Sequence, residues 1–116
     1  MVGIDIESIS RIEYLLKNKP NIIRKFFSKY EWDYAEGKAN ISQTLTGIWC
    51  AKEAVVKAYS KIKPILITDV KLKHYFSGEP YVFSITNKKI ISTLKISISI
   101  SHTKDYATAV AIIYYL

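Results

Sequence analysis

The sequence predicts an α+β fold in which a mainly antiparallel sheet packs against one long central helix. Before Pro64, apolar side chains recur at intervals of three and four, as they do on one face of a helix. After Pro64, apolar and polar residues alternate, as they do in half-buried strands. Helices that come early and strands that come late are typical of α+β folds. With 116 residues the chain can bury one core, and we expect a single domain over residues 1–116.

Three helical segments are predicted in the first half of the chain. The first has a capping-box spacing, Ser10 to Glu13, and ends at Pro20. A second, shorter segment covers Ile22 to Tyr34 and stops near the glycine that follows. The longest pattern runs from Ser42 to about Tyr59 and carries an apolar stripe, so we expect it to be the central helix.

Five strands are predicted to complete the fold. A turn at Gly78-Glu79-Pro80 separates two of them, and a short helix is expected at Asn87–Thr93 before the last two. The first strand is unusual because an acid interrupts its apolar residues. The predicted strands are Val2–Ile6, Val70–Phe76, Tyr81–Ile85, Leu94–Ser101 and Tyr106–Tyr115.

The composition is that of a folded, soluble protein, with 49% hydrophobic and 23% charged residues. No apolar run approaches the roughly 20 residues that cross a bilayer. The N-terminal residues lack the basic region and the small-residue cleavage site of a signal peptide. The single cysteine, Cys50, cannot form a disulfide within the chain. We therefore expect a cytoplasmic protein that does not associate with membranes.

The formal net charge of +7 predicts an acidic partner. Basic residues are concentrated between residues 11 and 29, where Glu13 is the only acid. Nucleic acid, an anionic membrane and an acidic protein all fit this charge, and so does a solvated basic face without a partner. Nucleic acid is disfavoured because the sequence has no RNA-binding aromatic signature, zinc-ligand spacing or helix-turn-helix glycine pattern.

The first strand carries two acids that share a face. Alternation places Asp5 and Glu7 on the same side of the strand, about 6.6 Å apart along it. Two carboxylates on one face repel each other unless a cation lies between them. Taken alone, the pair is more typical of an edge strand with two hydrated acids, because this spacing is common.

The central helix carries a second group of polar residues. Trp49, Glu53 and Lys57 follow one another by one turn on the same side. A glutamate can bind a metal there while the lysine neutralises phosphate oxygens, although the same spacing also makes an ordinary surface pair worth about 0.2–0.5 kcal/mol. Lys52 falls on the apolar stripe and either extends past the core or points into a site. Cys50 is typical of a small buried hydrophobe rather than a nucleophile.

A third group follows the fourth predicted strand. His102 and nearby hydroxyls, including Thr103, occur where the strand gives way to a loop and could donate to phosphate oxygens. They are also typical of a turn in which hydroxyls cap the backbone.

Together, three segments resemble the motifs of the 4′-phosphopantetheinyl transferases. They are GIDIESISRIE near the N-terminus, WCAKEAVVKA in the central helix and SISHTKDYATAVAI near the C-terminus. The order, the spacing and the chain length resemble the short, single-unit form of the family, the holo-acyl-carrier-protein synthases. GEPYV is similar to the family's Gly-x-Pro turn, so the resemblance covers nearly the whole chain.

The resemblance implies the 4′-phosphopantetheinyl transferase fold and a Mg²⁺-dependent reaction. The 4′-phosphopantetheine arm of coenzyme A would move to a serine of an apo-acyl carrier protein, with release of 3′,5′-ADP. Asp5 and Glu53 match the family's metal ligands, and Glu7 matches a third acid of the longer, two-unit relatives. Lys57 matches the lysine that contacts the diphosphate. The general base stays open between Glu53, Glu7 and a water molecule.

The resemblance also implies how the partners bind. His102 and Thr103 match residues that help to bind coenzyme A phosphates. Arg11, Arg24 and Lys25 resemble the basic surface that docks the acidic carrier protein. Short members form homotrimers with active sites between neighbouring subunits, and the same assembly is implied here.

Two departures from the family concern the nucleotide end of coenzyme A. Many short relatives have an arginine where this chain has Ile48, and their glycine-rich loop is replaced here by Tyr59–Pro64. We therefore expect this end of the substrate to be bound differently, with Lys61 and Lys63 as candidate cations. The departures also keep open a non-catalytic carrier-binding module on the same fold, while a basic nucleic-acid binder would leave the two acids unexplained.

Overall fold

The computed structural model describes residues 1–85 and 94–116. The short helix predicted at Asn87–Thr93 lies outside these described residues. The elements are β1 (Val2–Ser8), α1 (Ile9–Asn18), α2 (Pro20–Ile23), α3 (Lys29–Glu36), α4 (Ile41–Tyr59), β2 (Val70–His74), β3 (Pro80–Ile85), β4 (Leu94–His102) and β5 (Tyr106–Tyr115). Two short 3₁₀ turns, Arg24–Phe26 and Ile67–Asp69, join α2 to α3 and lead into β2. None of the described helices is both long and apolar enough to span a membrane.

The strands form two antiparallel sheets, which confirms the predicted fold class. One sheet has the order β1-β5-β4, and the other pairs β2 with β3. In the larger sheet Asp5 lies opposite Ala109, and Glu7 lies opposite Ala107. On the far side of β5, Ala107 lies opposite His102. The N-terminal strand and the predicted phosphate-binding loop therefore flank the same central strand.

Helix α4 is central, as predicted, and lies very close to β1. A Cβ atom at Gly3 would stand 2.0 Å from the carbonyl oxygen of Ala54 and 2.8 Å from the backbone nitrogen of Ala58. Only a residue without a side chain permits this approach. Small residues of β5 are also buried beneath the helix, among them Ala109. The close contact places Asp5, two residues after Gly3, beside the C-terminal half of α4.

The start of α1 differs from the prediction. Ser8, not Ser10, caps the helix, and its hydroxyl accepts a hydrogen bond from the backbone of Arg11 at 3.4 Å. The helix begins directly after the strand, and the first helical residue, Ile9, donates its backbone N–H to the carbonyl of Asp105 between β4 and β5. The capping-box spacing at Ser10 was therefore misleading.

The single helix predicted over residues 22–34 was also wrong. The segment is divided into α2, a 3₁₀ turn and α3, because Phe27 is extended (φ −118°, ψ 139°) and Ser28 starts a new helix. Ser28 and Glu31 form a complete capping box in which each side chain bonds the other residue's backbone. Helix α3 ends at Glu36, next to the glycine that was expected to stop it.

The strand predicted to reach Phe76 ends at His74. Tyr75 begins a tight turn in which Gly78 has φ +98° and donates its N–H to the carbonyl of Tyr75. Phe76 lies at the tip of this turn and is fully exposed. Alternation alone placed it on the buried face, and the turn overrides that pattern.

Candidate active site

The structure brings Asp5 of β1 together with Lys57 of α4. The Lys57 ammonium donates to Asp5 Oδ1 at 3.2 Å and to the carbonyl of Ile4 at 3.0 Å. The Asp5 side chain is 16% exposed and that of Lys57 is 53% exposed. The pair lines an open cavity of about 260 Å³. Solvent and ligands can therefore reach both charges.

Glu53 lies one turn before Lys57 and is close enough to Asp5 and Glu7 for their negative charges to act on it. Burial raises the pKa of Glu53, and the charge of Asp5 adds to the rise, with a smaller contribution from Glu7. Lys57 acts in the opposite direction without cancelling these effects. The site therefore holds more negative charge than its one lysine neutralises.

This donor set fits a hard cation. Mg²⁺ typically takes one or two carboxylates from the protein, and the remaining ligands are water and phosphate oxygens. Within residues 1–85 and 94–116, no group of three or more His, Cys, Asp or Glu side chains is arranged to hold a metal ion. Asp5 and Glu53 match the one or two carboxylates of this smaller requirement, which leaves the other ligands to water or phosphate oxygens.

Glu7 is already engaged by its neighbours. One carboxylate oxygen accepts from the backbone of Ser8 at 3.0 Å, and the other accepts from Arg11 at 2.6 Å. The Arg11 side chain is 59% exposed, so its guanidinium spans between this acid and solvent. These bonds leave Glu7 less available than Asp5 or Glu53 as a ligand or a base.

Cys50 lies beneath the acids and is fully buried. Its Sγ donates to the carbonyl of Ala107 at 3.4 Å. Burial and the neighbouring carboxylates, chiefly Asp5, raise the pKa of the Cys50 thiol from 9.0 to about 12. The thiol stays protonated at neutral pH and is not a nucleophile, as the sequence indicated.

The structure places His102 and Thr103 away from Asp5 and Lys57. His102 and Glu7 both flank Ala107, so their Cα atoms are separated by two strand spacings, roughly 9.6 Å. His102 is exposed at the end of β4. Thr103 Oγ1 accepts from the backbone N–H groups of Asp105 and Tyr106, so this hydroxyl caps the turn between β4 and β5.

His102 lines a second open cavity of about 280 Å³. Gly47 and Ile48 of α4, where the sequence departs from the family that it resembles, also line it. Lys38 supplies a positive charge to its wall, whereas Lys61 and Lys63 follow the opposite end of α4 and do not line it. Lys38 was not among the residues predicted from the sequence.

His74 was also missed as a component of this cavity. Its ring stacks on Tyr34 with the centroids 3.6 Å apart and the planes within 5° of parallel. Its Nδ1 is buried and has no hydrogen-bond partner among the described residues. Burial lowers the pKa of His74, and the charge of Lys38 lowers it further. A neutral ring with one buried, unbonded nitrogen therefore lines a cavity that also contains Lys38.

Among the residues that the structure describes, none lines both cavities. One contains Asp5 and Lys57, and the other contains His102, Lys38 and the stacked rings of Tyr34 and His74. Within one chain, Asp5 and Lys57 therefore line a different cavity from His102.

Lys52 neither extends to solvent nor points into either cavity. Its side chain is 2% exposed, and its ammonium bonds the fully buried carboxylate of Glu31 at 2.7 Å. Glu31 was not among the residues predicted from the sequence. The Ser28-to-Glu31 capping-box spacing, together with a lysine on an apolar stripe, was the available signal.

Comparisons with known proteins agree with the fold and the motifs. Residues 1–111 match the sequence profile of the 4′-phosphopantetheinyl transferase superfamily. The holo-[acyl-carrier-protein] synthase of Caldanaerobacter subterraneus subsp. tengcongensis is 34% identical over 116 residues, covering 96% of this chain and 91% of that protein. The corresponding synthase of Fusobacterium nucleatum is 34% identical over 120 residues, covering 97% and 96%.

Two solved structures with bound coenzyme A are also similar. The ACPS–CoA complex of Chronobacterium ammoniagenes has a TM-score of 0.85 at 25% identity and covers 100% of this chain and 97% of its own. The Helicobacter pylori holo-[acyl-carrier-protein] synthase in complex with coenzyme A has a TM-score of 0.82 at 30% identity, with coverages of 98% and 100%.

Proposed function

This chain belongs to the 4′-phosphopantetheinyl transferase superfamily, and on that premise we propose that it is a holo-acyl-carrier-protein synthase. It transfers the 4′-phosphopantetheine arm of coenzyme A to a serine of an apo-acyl carrier protein and releases 3′,5′-ADP. The observation that carries the proposal is the meeting of Asp5, Glu53 and Lys57 where β1 crosses α4. An excess of carboxylate beside one accessible lysine suits a diphosphate substrate that arrives with Mg²⁺.

The transfer makes one bond and breaks one. The serine oxygen attacks the β-phosphorus of coenzyme A, and the bond from this phosphorus to the oxygen of 3′,5′-ADP breaks. Such reactions depend mainly on positioning and on stabilising charge. Lys57 is held over the cavity by Asp5 and Ile4, and its exposed ammonium can donate to the diphosphate oxygens.

Asp5 and Glu53 would hold Mg²⁺, which neutralises charge on the phosphates when it is bound. The serine proton passes to a base as the new bond forms. Glu53 is a better candidate than Glu7, because both Glu7 oxygens already accept hydrogen bonds from Ser8 and Arg11. Activity is therefore expected to require Mg²⁺ and to be lost in EDTA.

The cavity around His102 is proposed to take the nucleotide end of coenzyme A. His102 and Lys38 offer donors to its phosphate, and the adjoining Tyr34–His74 stack offers a flat apolar surface for the base. Lys38 would thereby contribute the positive charge that Ile48 does not. Thr103 would contribute indirectly, because its hydroxyl caps the turn that follows His102 and so helps to orient this histidine.

We propose a homotrimer in which adjacent subunits complete each site. The outer face of the larger sheet exposes a row of apolar side chains that a partner subunit would cover. The row consists of Val2, Ile4, Ile6, Ile112 and Tyr114, which are 40–65% exposed. The separation of the two cavities within one chain also supports a site shared between subunits.

The acidic carrier protein would dock against Arg11, Arg24 and Lys25. All three are exposed. Arg24 lies over the ring of Trp32 at 4.2 Å, and the 3₁₀ turn holds Lys25 beside it. Complementary charge of this kind speeds encounter and fixes orientation.

Weighing the carrier protein after incubation tests the function directly. Coenzyme A, Mg²⁺ and apo-carrier are mixed with the protein, and added phosphopantetheine mass that is abolished by EDTA or by Glu53→Ala supports the enzyme. An unmodified carrier that still binds the protein would instead indicate a carrier-binding module. Tight nucleic-acid binding without either result would indicate a basic nucleic-acid-binding protein. Normal turnover by a folded Glu53→Ala variant contradicts the mechanism.

A further inference from the structure

The buried ion pair Glu31–Lys52 joins four segments of the chain. Glu31 Oε1 accepts from the Lys52 ammonium at 2.7 Å and from the backbone of Ser28 at 2.9 Å, while Oε2 accepts from the backbone of Leu72 at 2.7 Å. The same ammonium donates to the carbonyl of Phe26 at 2.6 Å. One pair therefore connects α3, α4, β2 and the 3₁₀ turn Arg24–Phe26.

One end of this connection lies next to the candidate active site, and the other lies next to the proposed docking surface. Lys52 directly precedes Glu53 in α4, and its other acceptor, Phe26, directly follows Lys25 in the turn. The ring of Phe26 packs edge-on against Trp49, one helical turn before Glu53, with the centroids 5.2 Å apart. Hydrogen bond and ring contact together fix the basic turn relative to the reacting groups.

Stability alone does not account for an ion pair at this position. Apolar residues of similar volume often replace a buried pair with no loss of stability, because the pair must overcome the desolvation of two charges. An apolar pair would fill the same space but would not fix the orientation of the segments that it contacts. The observed pair makes directed bonds to the main chain at Phe26, Ser28 and Leu72, and therefore defines a geometry.

We infer that Lys52 and Glu31 are positioning residues for the carrier protein. They hold the turn that bears Arg24 and Lys25 at the distance from Glu53 that brings a docked serine to the phosphorus. The inference rests on the proposed function. It concerns the carrier side of the site, since the cavity that contains His102 does not include either residue.

The test is steady-state transfer by the double variant Glu31→Gln/Lys52→Met, with apo-carrier and coenzyme A varied separately. Removing both charges avoids leaving one of them buried and unpaired. We expect the KM for carrier to rise about ten-fold or more as the turn loses its fixed position. The KM for coenzyme A should stay within about two-fold, because the residues that bind it are untouched.

Asp33→Asn is the matched control. It also removes an acid from α3, but it breaks the exposed pair Lys29–Asp33, whose side chains are 89% and 56% exposed. Its KM for carrier should stay within about two-fold, as expected for a surface pair of little energetic weight.

The outcomes separate this inference from the proposed function. No transfer by the wild-type protein refutes the function itself. Normal wild-type transfer with an unchanged carrier KM in the folded double variant refutes the positioning role. A parallel rise of both KM values with a lowered melting temperature also refutes it, since general loosening would explain that result. If this double variant does not fold, the fully apolar replacement Glu31→Leu/Lys52→Met, which also leaves no buried charge, is assayed and judged by the same criteria.

Discussion

Two lysines of α4 each pair with an acid from a distant segment, and the two pairs differ in their surroundings. Lys52 bonds Glu31 at 2.7 Å with both side chains almost fully buried. Lys57 bonds Asp5 at 3.2 Å at the surface, with the lysine about half exposed. The first ammonium is enclosed by the protein, whereas the second faces a cavity.

The difference shows which pair can change partners. Separating a buried pair leaves two charges without water, which is strongly unfavourable. Separating an exposed pair changes the free energy by at most about 1 kcal/mol, because water replaces the partner. Lys57 can therefore leave Asp5 for a phosphate oxygen during a reaction, while Lys52 stays with Glu31 as long as the chain is folded.

Lys57→Met should separate the two roles most clearly. We expect kcat/KM to fall about a thousand-fold, because a donor aimed at developing charge is lost. The melting temperature should fall less than it does in Lys52→Met, since the Lys57 side chain is 53% exposed, although that of Asp5 is only 16% exposed. Assays at saturating carrier and circular dichroism melts measure the two quantities. Lys29→Met, which breaks another exposed pair, is the control and should keep its activity. A large loss of stability in Lys57→Met would contradict the comparison.

Lys52→Met should lose much more stability than Lys57→Met. The variant leaves the Glu31 carboxylate buried without a cation, and we expect the free energy of unfolding to fall by about 3 kcal/mol. Urea unfolding of this variant beside Lys57→Met measures the difference between the two sites. Equal stabilities would show that burial does not distinguish the pairs.

The site residues were predictable from the sequence to the extent that their signals were local. The one-turn spacing of Glu53 and Lys57 and the shared face of Asp5 and Glu7 follow from helix and strand geometry. The central helix and the antiparallel strands followed from periodicity and are confirmed. Local spacing alone did not distinguish a site from a hydrated surface, and it was the order of the three motifs that favoured a site.

The buried pair was not predictable because it depends on tertiary contacts. Glu31 and Lys52 are 21 residues apart, and no local pattern says that a capping-box acid and a lysine of another helix will meet. Phe76 shows the same limit, since alternation assigned it to a strand that the turn at Gly78 had already ended. Lys38 and His74 likewise join the second cavity only after α3 and β2 have packed together.

Gly3→Ala should disturb the exposed pair while leaving the buried one intact. The new Cβ would stand 2.0 Å from the carbonyl oxygen of Ala54, so β1 must move away from α4 and carry Asp5 with it. We expect a loss of about 2 kcal/mol in unfolding free energy together with reduced transfer. Gly37→Ala is a suitable control, because its Cβ would meet nothing closer than 3.5 Å. Unaltered stability in Gly3→Ala would show that β1 does not press on the helix.

The smallest expected effect concerns His74, a half-buried base without the compensation that Glu31 gives Lys52. Burial and Lys38 lower the pKa of His74 below its ordinary 6.5, and Glu31 offsets this only in part. As the pH falls through 6.5, the unfolded chain therefore binds a proton before the folded protein does. The stability from this residue is complete above pH 6.5 and declines below it. Melting temperatures at pH 7.5 and 5.5 should fall more for the wild type than for His74→Gln, which retains His102 in both measurements. An equal fall in both proteins would mean that the folded state accommodates the charge on His74 as well as water does.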